Sequence, residues 1–289
     1  MIAVRFWGGL GNQFFQYSFG RALALKTGED LRFYMLDKEK TPATLSITEF
    51  DADILFLQPE TMKKIYFCYG NNLMVRAERK LTSLFPFIHP GIMIEKGPGY
   101  SEIGEPYNKY FDGYWQSYRY FNHIADRLKE ELTLKRSVKL PCSWFEEINS
   151  CQSVAVHVRR GDYLSGRSRS VYHQCDERYY SNAVDLIKEK VKDPVFFVFS
   201  DDIDWVKRNF IFMPDSTRYV IHEMDKPDCI DNVLMRQCRH FIIANSTFSW
   251  WAAFLGGNNE KTVIAPEKWY LNKTDFLISD LIPSRWIMM

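Results

Sequence analysis

Two adjacent arginines follow an apolar run near the middle of the chain, and their position suggests anion binding. The run Val154–Val158 is followed by Arg159, Arg160, Gly161 and Asp162. An apolar run that stops at glycine and aspartate is typical of a buried parallel strand, and ligands of open α/β sheets bind beyond the carboxyl ends of such strands. Guanidinium groups bind phosphate bidentately and stay charged at any working pH. The sequence therefore predicts a diphosphate site that needs no metal; the alternative is a solvated strand end whose arginines pair with Asp162.

Two further polar segments follow apolar runs in the same half of the chain. Val195–Phe199 leads into Ser200, Asp201 and Asp202, and Phe241–Ala244 leads into a serine-rich turn. Since the carboxyl ends of parallel strands meet at one edge of a sheet, we expect these segments to lie beside the two arginines.

Each residue type in these segments suits one part of a nucleotide. Hydroxyl groups and the free N–H groups of a helix start can hold phosphate oxygens, an aromatic face can stack on a base or sugar, and carboxylates can accept hydrogen bonds from a guanine edge or a ribose. The serine-rich turn is also compatible with an ordinary helix N-cap. The candidate ligand-binding residues of this half are Arg160, Ser200, Asp202, Asp231, Ser246, Thr247 and Phe248.

A glycine-rich turn, Gly8–Gln13, lies between the first predicted strand, Ile2–Trp7, and a predicted helix. It resembles a dinucleotide fingerprint, but Phe14 occupies the place of the third glycine, and the chain has no GxxxxGK[ST] motif. The turn predicts close backbone approach to a ligand, and we assign Gly11 and Asn12 to the ligand site. The alternative is a tight turn with no ligand.

Two short acidic pairs match the Asp-x-Asp form that binds divalent ions in many sugar transferases. They are Asp51 with Asp53, and Asp202 with Asp204. Chance is a sufficient explanation for so short a pattern, and a pair of arginines can neutralise a diphosphate as a metal does. We therefore predict no metal site and no cofactor.

The composition excludes several classes of protein. The 289 residues are 46% hydrophobic and 25% charged, which is typical of globular proteins, and the net charge of +1 disfavours a nucleic-acid partner. Six cysteines without CxxC spacing indicate reduced thiols. We expect neither a signal peptide nor a transmembrane segment. The expectation is a cytoplasmic protein, and a peripheral position at the inner membrane face stays open.

The second half of the chain alternates predicted strands and helices, which indicates a doubly wound parallel sheet. The predicted strands are Val154–Arg159, Val195–Ser200, Arg218–His222, Phe241–Asn245 and Val263–Pro266, and the predicted helices span 177–192, 203–210 and 228–239. The first half begins as strand, turn and helix, but its order from about residue 40 to 110 is not predicted. We expect domains at 1–140 and 141–289, and leave open whether the C-terminal tail packs back on the first domain.

Taken together, five segments in order resemble the bacterial form of the α-1,2-fucosyltransferase family, glycosyltransferase family 11. They are Gly8–Tyr17, Gly113–Phe121, His157–Tyr163, Phe199–Asp202 and Ser246–Trp251. The resemblance implies a GT-B architecture, in which two Rossmann-like domains face each other across a cleft. It also implies that GDP-fucose is held mainly by domain 141–289 and the acceptor mainly by domain 1–140.

The reaction implied by the resemblance is metal-independent, inverting transfer from GDP-β-L-fucose to the 2-hydroxyl group of a galactose in an oligosaccharide. Arg159 is implied to contact the β-phosphate and is the leading catalytic candidate, with His157 and Asp162 of the same motif. Whether the acceptor is lipid-linked stays open. The predicted acceptor residues are Asp112, Tyr114, Trp115 and Gln116.

The sequence leaves alternatives open for the general base and for the reaction. Asp112, His157 and Asp162 are unranked candidates for a general base, and our interpretation leans towards none of them being essential. The protein could transfer another GDP-sugar or form another fucosyl linkage. A non-catalytic carbohydrate-binding protein is disfavoured because it has no need of two arginines beside a serine turn, and a sulfotransferase is disfavoured because no P-loop-like turn follows the first strand.

Overall fold

The computed structural model describes residues 1–36, 45–69, 72–104, 109–161, 170–257, 260–271 and 276–289. The chain divides into two compact units, Met1–Lys135 and Arg136–Met289. The division falls close to the boundary expected at residue 140. Asp162 lies outside the described residues.

The first unit is built on a four-stranded parallel sheet with the order β2-β1-β4-β3. Its strands are β1 (Ile2–Arg5), β2 (Leu31–Tyr34), β3 (Ile92–Ile94) and β4 (Tyr110–Asp112). Its helices are α1 (Leu10–Thr27), α2 (Pro59–Ile65), α3 (Asn72–Leu84) and α4 (Ala125–Glu131). Helix α1 is buried on nearly all sides, because aromatic and small residues surround its axis.

The order of this sheet reverses between β1 and β4. From β1 the chain passes to β2 on one side, while β4 and β3 lie on the other. Such a switch point opens a crevice at the carboxyl ends of the two central strands. The glycine turn that follows β1 and the turn Gly113–Gln116 that follows β4 therefore lie at the same edge.

The second unit is built on a six-stranded sheet with the order β10-β9-β8-β5-β6-β7, in which every strand pairs in parallel. Its strands are β5 (Gln152–Val158), β6 (Pro194–Ser200), β7 (Thr217–Tyr219), β8 (His240–Ile242), β9 (Val263–Ala265) and β10 (Ile287–Met288). Its helices are α5 (Cys142–Asn149), α6 (Glu177–Lys190), α7 (Ile203–Asn209), α8 (Pro227–Gln237) and α9 (Thr247–Leu255).

Numbered from β5, this is the 3-2-1-4-5-6 order of dinucleotide-binding folds. The predicted α/β class is confirmed. All five strands predicted in this half are present, although those predicted to end at His222 and Asn245 end earlier, at Tyr219 and Ile242. The C-terminal strand β10 joins this second sheet through β9.

The switch point of the second sheet lies between β5 and β8. Strand β5 is buried from Ser153 to Val158, and Val158 is in register with Ser200 of β6. The residues after β5, β6 and β8 therefore reach the same edge, as the sequence predicts. Among the described residues, no helix is both long and apolar enough to cross a membrane.

Candidate functional site

The exit loop of β5 is held by a single carboxylate from the neighbouring strand. Asp201, which follows β6, accepts hydrogen bonds from the backbone N–H groups of Arg160 (2.9 Å) and Gly161 (3.0 Å). The same carboxylate pairs with Arg159, with 3.1 Å between Nη1 and Oδ2. The ion pair fixes the guanidinium group at the strand end while about a third of that side chain (34%) stays exposed.

Gly161 permits this arrangement because it lacks a side chain. A Cβ atom at this position would lie 2.6 Å from Oδ2 of Asp201, closer than unbonded atoms approach. Any larger residue would displace the carboxylate from the loop. The Gly161 of the sequence motif is therefore explained by close packing against Asp201.

The second arginine of the pair has a different environment. The guanidinium carbon of Arg160 lies 3.3 Å from the ring centroid of Trp205, and its Nε lies 3.5 Å from Oδ2 of Asp202. Asp202 is also the N-cap of α7, because its Oδ1 accepts from the N–H of Trp205, and its own N–H donates to Ser200. Arg160, Ser200 and Asp202 thus form a packed support beneath the loop.

His157, the last histidine before the loop, is 5% exposed. Burial, reinforced by the positive charge of Arg159, lowers its pKa to about 3. Among the described residues its Nδ1 has no hydrogen-bond partner, and its ring centroid lies 5.4 Å from that of Phe248. The imidazole is therefore neutral at pH 7 and cannot add a second positive charge to the site.

Helix α9 brings its N-terminus to the same edge. Ser246 is the N-cap, and its Oγ accepts from the N–H of Phe248 at 3.3 Å. Thr247 and Phe248 are partly exposed, whereas the hydroxyl group of Ser249 is buried and donates back to backbone carbonyls. The first N–H groups of a helix and its dipole favour an anion, so α9 adds positive potential to that of Arg159.

Helix α8 fixes both α9 and a carboxylate at the crevice. Asn232 is fully buried and donates from Nδ2 to the carbonyl of Phe248 at 3.0 Å. Asp231 lies 2.9 Å from Nε2 of His222, whose Nδ1 accepts from the N–H of Met224. This pattern assigns the proton to Nε2, so His222 donates to Asp231. Burial raises the pKa of Asp231, and the hydrogen bond from His222 opposes that rise.

In the first unit, Asp112 lies in the interior rather than at the surface. The carboxylate is fully buried and is bonded by Arg5 (3.1 Å), Arg79 (2.5 Å) and the hydroxyl group of Tyr66 (3.0 Å). It balances two arginines whose side chains are 14% and 25% exposed. This environment does not fit the predicted contact of Asp112 with an acceptor or its candidacy as a base.

The turn after β4 contains a backbone conformation that needs support. Trp115 has φ 57°, in the left-handed region, which costs a bulky residue about 1–3 kcal/mol. Glu95, which follows β3, accepts from the N–H groups of Tyr114 (2.6 Å) and Trp115 (2.9 Å). A Cβ atom on Gly113 would lie 2.4 Å from Cβ of Glu95, so the glycine is required for this approach.

The predicted acceptor residues of this turn differ in exposure. Trp115 is 1% exposed and stacks on Phe19 with ring centroids 4.2 Å apart, so it presents little surface to a ligand. Tyr114 is partly exposed, and its ring stacks on that of Trp7 with 3.9 Å between the ring centroids. The guanidinium carbon of Arg5 lies 4.7 Å from the centroid of the Trp7 ring. Trp7 and Tyr114 thus form an aromatic platform at the edge of the first sheet.

The glycine turn is tied to the turn after β4 by side-chain amides. Gln116, which is 5% exposed, donates to Oδ1 of Asn12 at 2.8 Å. Gln16 of α1 bonds the backbone of Trp7 and also donates to the carbonyl of Gly113. Gly11 is buried within the first turn of α1. In the first unit, the structure therefore brings Asn12 and Gln116 together, but it shows Gly11 as a packing residue.

Sequence reasoning missed several residues that organise these two sites. They are Gln16, Glu95, Trp205, His222 and Asn232; Asp201 was considered only as a possible acceptor of hydrogen bonds from the nucleotide. Asp201 and Gln16 stand inside the segments of the family resemblance, but their bonding partners could not be read from those segments. Groups of three or more potential metal ligands are not found among the described residues.

The support of the Trp115 turn by Glu95 predicts a stability effect. Glu95→Gln replaces one acceptor oxygen by an amide NH2 that faces a backbone N–H, so we expect the free energy of unfolding to fall by roughly 1–3 kcal/mol. Urea denaturation measures this change. Glu102→Gln, at an exposed position, is the matched control and should leave stability unchanged. Equal urea midpoints for Glu95→Gln and the parent protein would show that the turn does not need the carboxylate.

The lowered pKa of His157 predicts a pH-dependent stability. Histidine titrates near pH 6.5 in an unfolded chain, so between about pH 6.5 and 3 the unfolded state binds more protons and stability falls as the pH falls. His157→Gln removes this linkage. Between about pH 7 and 5 the variant should lose about 2 kcal/mol less than the parent protein.

Urea denaturation at the two pH values measures the difference. His123→Gln, at an exposed position, should keep the full pH dependence of the parent protein. The same loss of stability in His157→Gln and the parent protein would contradict a buried neutral imidazole.

Comparison with known proteins identifies the family. The model of glycosyl transferase family 11 matches residues 95–287. An α-1,2-colitosyltransferase of Escherichia coli is 31% identical over 99% of this chain and 98% of its own length. The galactoside 2-α-L-fucosyltransferase Sec1 of Mus musculus is 27% identical, over 97% of this chain and 75% of that protein.

Solved structures agree at the level of the fold. The fucosyltransferase NodZ from Bradyrhizobium has a TM-score of 0.51 with 15% identity, over 88% of this chain and 91% of NodZ. NodZ α-1,6-fucosyltransferase co-crystallised with GDP has a TM-score of 0.50 with 15% identity, over 88% of this chain and 92% of NodZ. The family predicted from five sequence segments is confirmed. The chain is a glycosyltransferase that belongs to glycosyl transferase family 11.

Proposed function

We propose that this protein transfers L-fucose from GDP-β-L-fucose to the 2-hydroxyl group of a galactose residue, with inversion and without a metal ion. The observation that carries the proposal is the position of Arg159, fixed by Asp201 at the same sheet edge as the N-terminus of α9. The names of the E. coli and mouse relatives support the 1,2 linkage, and the mouse name supports a galactoside acceptor. The NodZ structure with GDP supports a GDP-sugar donor.

Arg159 is proposed to stabilise the leaving group. Breaking the bond between the anomeric carbon of the sugar and the phosphate oxygen places negative charge on the β-phosphate, and fixed cationic donors lower that barrier. The ion pair with Asp201 orients the guanidinium group before the donor arrives, so little reorganisation is needed. The partial positive charge of the α9 N-terminus acts in the same direction.

Arg160 is proposed to act on the loop rather than on the phosphate. Its guanidinium group is stacked on Trp205 and paired with Asp202. A cation held between an aromatic ring and a carboxylate fixes the exit loop that carries Arg159. In this proposal Arg160 supports the loop, and Arg159 contacts the phosphate.

The nucleoside is proposed to bind beside α8 and α9. Phe248 offers a partly exposed ring, Thr247 a hydroxyl group, and Asp231 a carboxylate that His222 orients. A carboxylate can accept hydrogen bonds from the guanine edge or the ribose hydroxyl groups. Leaving such a partly buried acceptor without a donor from the base disfavours other bases, and this would select GDP over UDP.

Proton removal from the acceptor is proposed to occur late and without His157 or Asp112 as base. A histidine whose pKa is about 3 binds a proton too weakly to act as a base at neutral pH. The carboxylate of Asp112 is fully buried and is bonded by two arginines and a tyrosine. Asp162 stays a prediction from the sequence motif.

The acceptor is proposed to bind on the first unit at the platform of Trp7 and Tyr114. Flat aromatic faces stack on the C–H faces of sugar rings, and Tyr114 is partly exposed, whereas the Trp7 ring lies between Tyr114 and Arg5. Of the two neighbouring aromatic residues predicted to contact the acceptor, this proposal keeps Tyr114 and not Trp115. Trp115 then acts from the interior, by holding the turn on which Tyr114 lies.

A second donor is favoured by a specific observation. The E. coli relative that matches 99% of this chain at 31% identity is a colitosyltransferase, and colitose is L-fucose without the hydroxyl group at carbon 3. The two donors would place the same charge on the same phosphate. GDP-colitose is therefore the alternative donor, and the difference lies in the contact made to one hydroxyl group.

The deciding experiment is transfer to a panel of β-galactosides with GDP-fucose, GDP-colitose and UDP-galactose as donors. Linkage is assigned by NMR of the product, and each reaction is repeated in excess EDTA. We expect an α-1,2 product from a GDP-deoxyhexose, undiminished by EDTA. Transfer only from UDP-galactose, another linkage, or activity that EDTA abolishes and Mn²⁺ restores would each overturn part of the proposal.

Substitution of Arg159 tests its contact with the leaving group. Arg159→Lys keeps the charge but loses the two-pronged guanidinium geometry, so we expect kcat to fall by about 10²–10³ while the protein stays folded. Initial rates and thermal unfolding measure the two properties. Arg208→Lys, at an exposed position on α7, is the control and should leave both unchanged. Near-normal turnover in folded Arg159→Lys would refute the assignment.

A further inference from the structure

Helix α3 of the first unit is apolar on its outer, exposed face. Val75, Glu78 and Thr82 point inward and are buried. Leu73, Ala77, Leu81 and Leu84 share the opposite stripe because they are spaced by three or four residues, and all four are exposed. An ordinary surface helix carries polar residues in that stripe.

Aromatic side chains extend this stripe beyond the helix. Phe85 and Phe87, at the 3-10 turn Pro86–Ile88, are exposed and lie 5.9 Å apart. Phe67 is exposed and lies 4.7 Å from the ring of His89, and its N–H donates to Glu78 of α3. We call the following set the α3 patch; its members are 47–77% exposed: Phe67, Leu73, Leu81, Leu84, Phe85 and Phe87.

The charges around the α3 patch have one sign. Arg76, Lys80 and Lys96 are exposed, and the first two flank the apolar stripe one helical turn apart. The acids of the sequence from 67 to 96 are Glu78 and Glu95. Glu78 is buried against His89 at 2.7 Å, and Glu95 accepts from two backbone N–H groups. Within residues 67–96, the segment that carries the patch therefore presents apolar groups and positive charge without an exposed acid.

We propose that the α3 patch docks the protein on an anionic phospholipid surface. Leucine and phenylalanine side chains enter the boundary between headgroups and acyl chains, while lysine and arginine at the rim pair with lipid phosphates. Two copies of the chain that paired symmetrically through this patch would bring Arg76 and Lys80 of both copies together without a compensating acid. The charge thus favours a lipid surface over self-association.

A cavity beside the patch fits the same occupant. It has a volume of about 560 Å³ and lies between α3, the 3-10 turn and β3. Pro86, Phe87 and Ile92 line it, and Glu95 and Lys96 contribute charges of both signs. The apolar part of the lining suits a chain of methylene groups, and Lys96 can pair with a phosphate.

Sedimentation with vesicles tests the proposal on the full-length protein. The vesicles are phosphatidylcholine alone or phosphatidylcholine with phosphatidylglycerol, at low and high salt. We expect binding to the anionic vesicles that weakens with salt, because attraction of basic residues to such surfaces is screened. Equal binding to both vesicle types, or no binding to either, would overturn the proposal.

Two pairs of variants separate the apolar and the charged contributions. Leu81→Ser with Phe87→Ser should reduce vesicle binding at least tenfold. Arg76→Gln with Lys80→Gln should reduce it on the order of 25-fold, because each basic residue near the surface contributes about fivefold. Ile211→Ser with Leu277→Ser changes two exposed apolar residues of the second unit and should leave binding unchanged.

Thermal unfolding and analytical ultracentrifugation complete the test. Every pair of variants changes exposed side chains, so the unfolding temperature should stay that of the parent protein. A parent protein that sediments as a dimer and becomes monomeric in Leu81→Ser with Phe87→Ser would assign the patch to self-association and overturn the lipid proposal. The readouts do not involve sugar transfer, so their outcome is independent of the proposed reaction.

Discussion

The carboxylate of Asp201 is the interaction on which the second site depends. It accepts two consecutive backbone N–H groups and pairs with Arg159, so one side chain closes the exit loop of β5 and aims the cation. Backbone N–H groups beyond a strand end have no ladder partner. Asp201 accepts from two of them and so fixes the shape of this exposed loop. Gly161 is the necessary counterpart, because a Cβ atom there would collide with Oδ2 of Asp201.

The first unit also uses a carboxylate to hold the turn at its own switch point. Glu95 accepts two consecutive N–H groups of the turn after β4, and a Cβ atom on Gly113 would collide with it. In each unit the carboxylate follows the strand that neighbours the one whose turn it holds: β6 beside β5, and β3 beside β4. Parallel strands end at a common edge, so a residue one position beyond a strand reaches the exit turn of its neighbour. The two sites share this solution although their sequences in these turns are unrelated.

How far the sequence predicts these sites depends on the range of the interactions. The strand before Arg159 is a local pattern and was predicted, and an N-cap was the alternative interpretation of the serine-rich turn that contains Ser246. The interior position of Asp112 depends on Arg5 and Arg79, which lie 107 and 33 residues away in the chain, so no local pattern reports it. Trp115 was predicted to contact the acceptor because tryptophan suits sugar rings, but its left-handed backbone turns the ring onto Phe19. The outer face of α3 lies in the region whose order was not predicted, and its leucines, Leu73, Leu81 and Leu84, form an apolar stripe on the exposed side of the helix, where a sequence pattern alone predicts burial.

The burial of His157 keeps its imidazole neutral and so limits the positive charge of the second site. An imidazole beside a fixed arginine in the interior would cost a great deal to protonate, and its pKa of about 3 expresses that cost, with burial as the larger cause and Arg159 as the smaller. The positive potential that opposes a proton on His157 also attracts a phosphate to the same edge of the sheet. A permanently charged guanidinium group beside a neutral imidazole therefore makes the charge of this pair independent of pH across the neutral range. An enzyme whose leaving group is a diphosphate benefits from this constancy, because the stabilising charge is present in every molecule at every turnover.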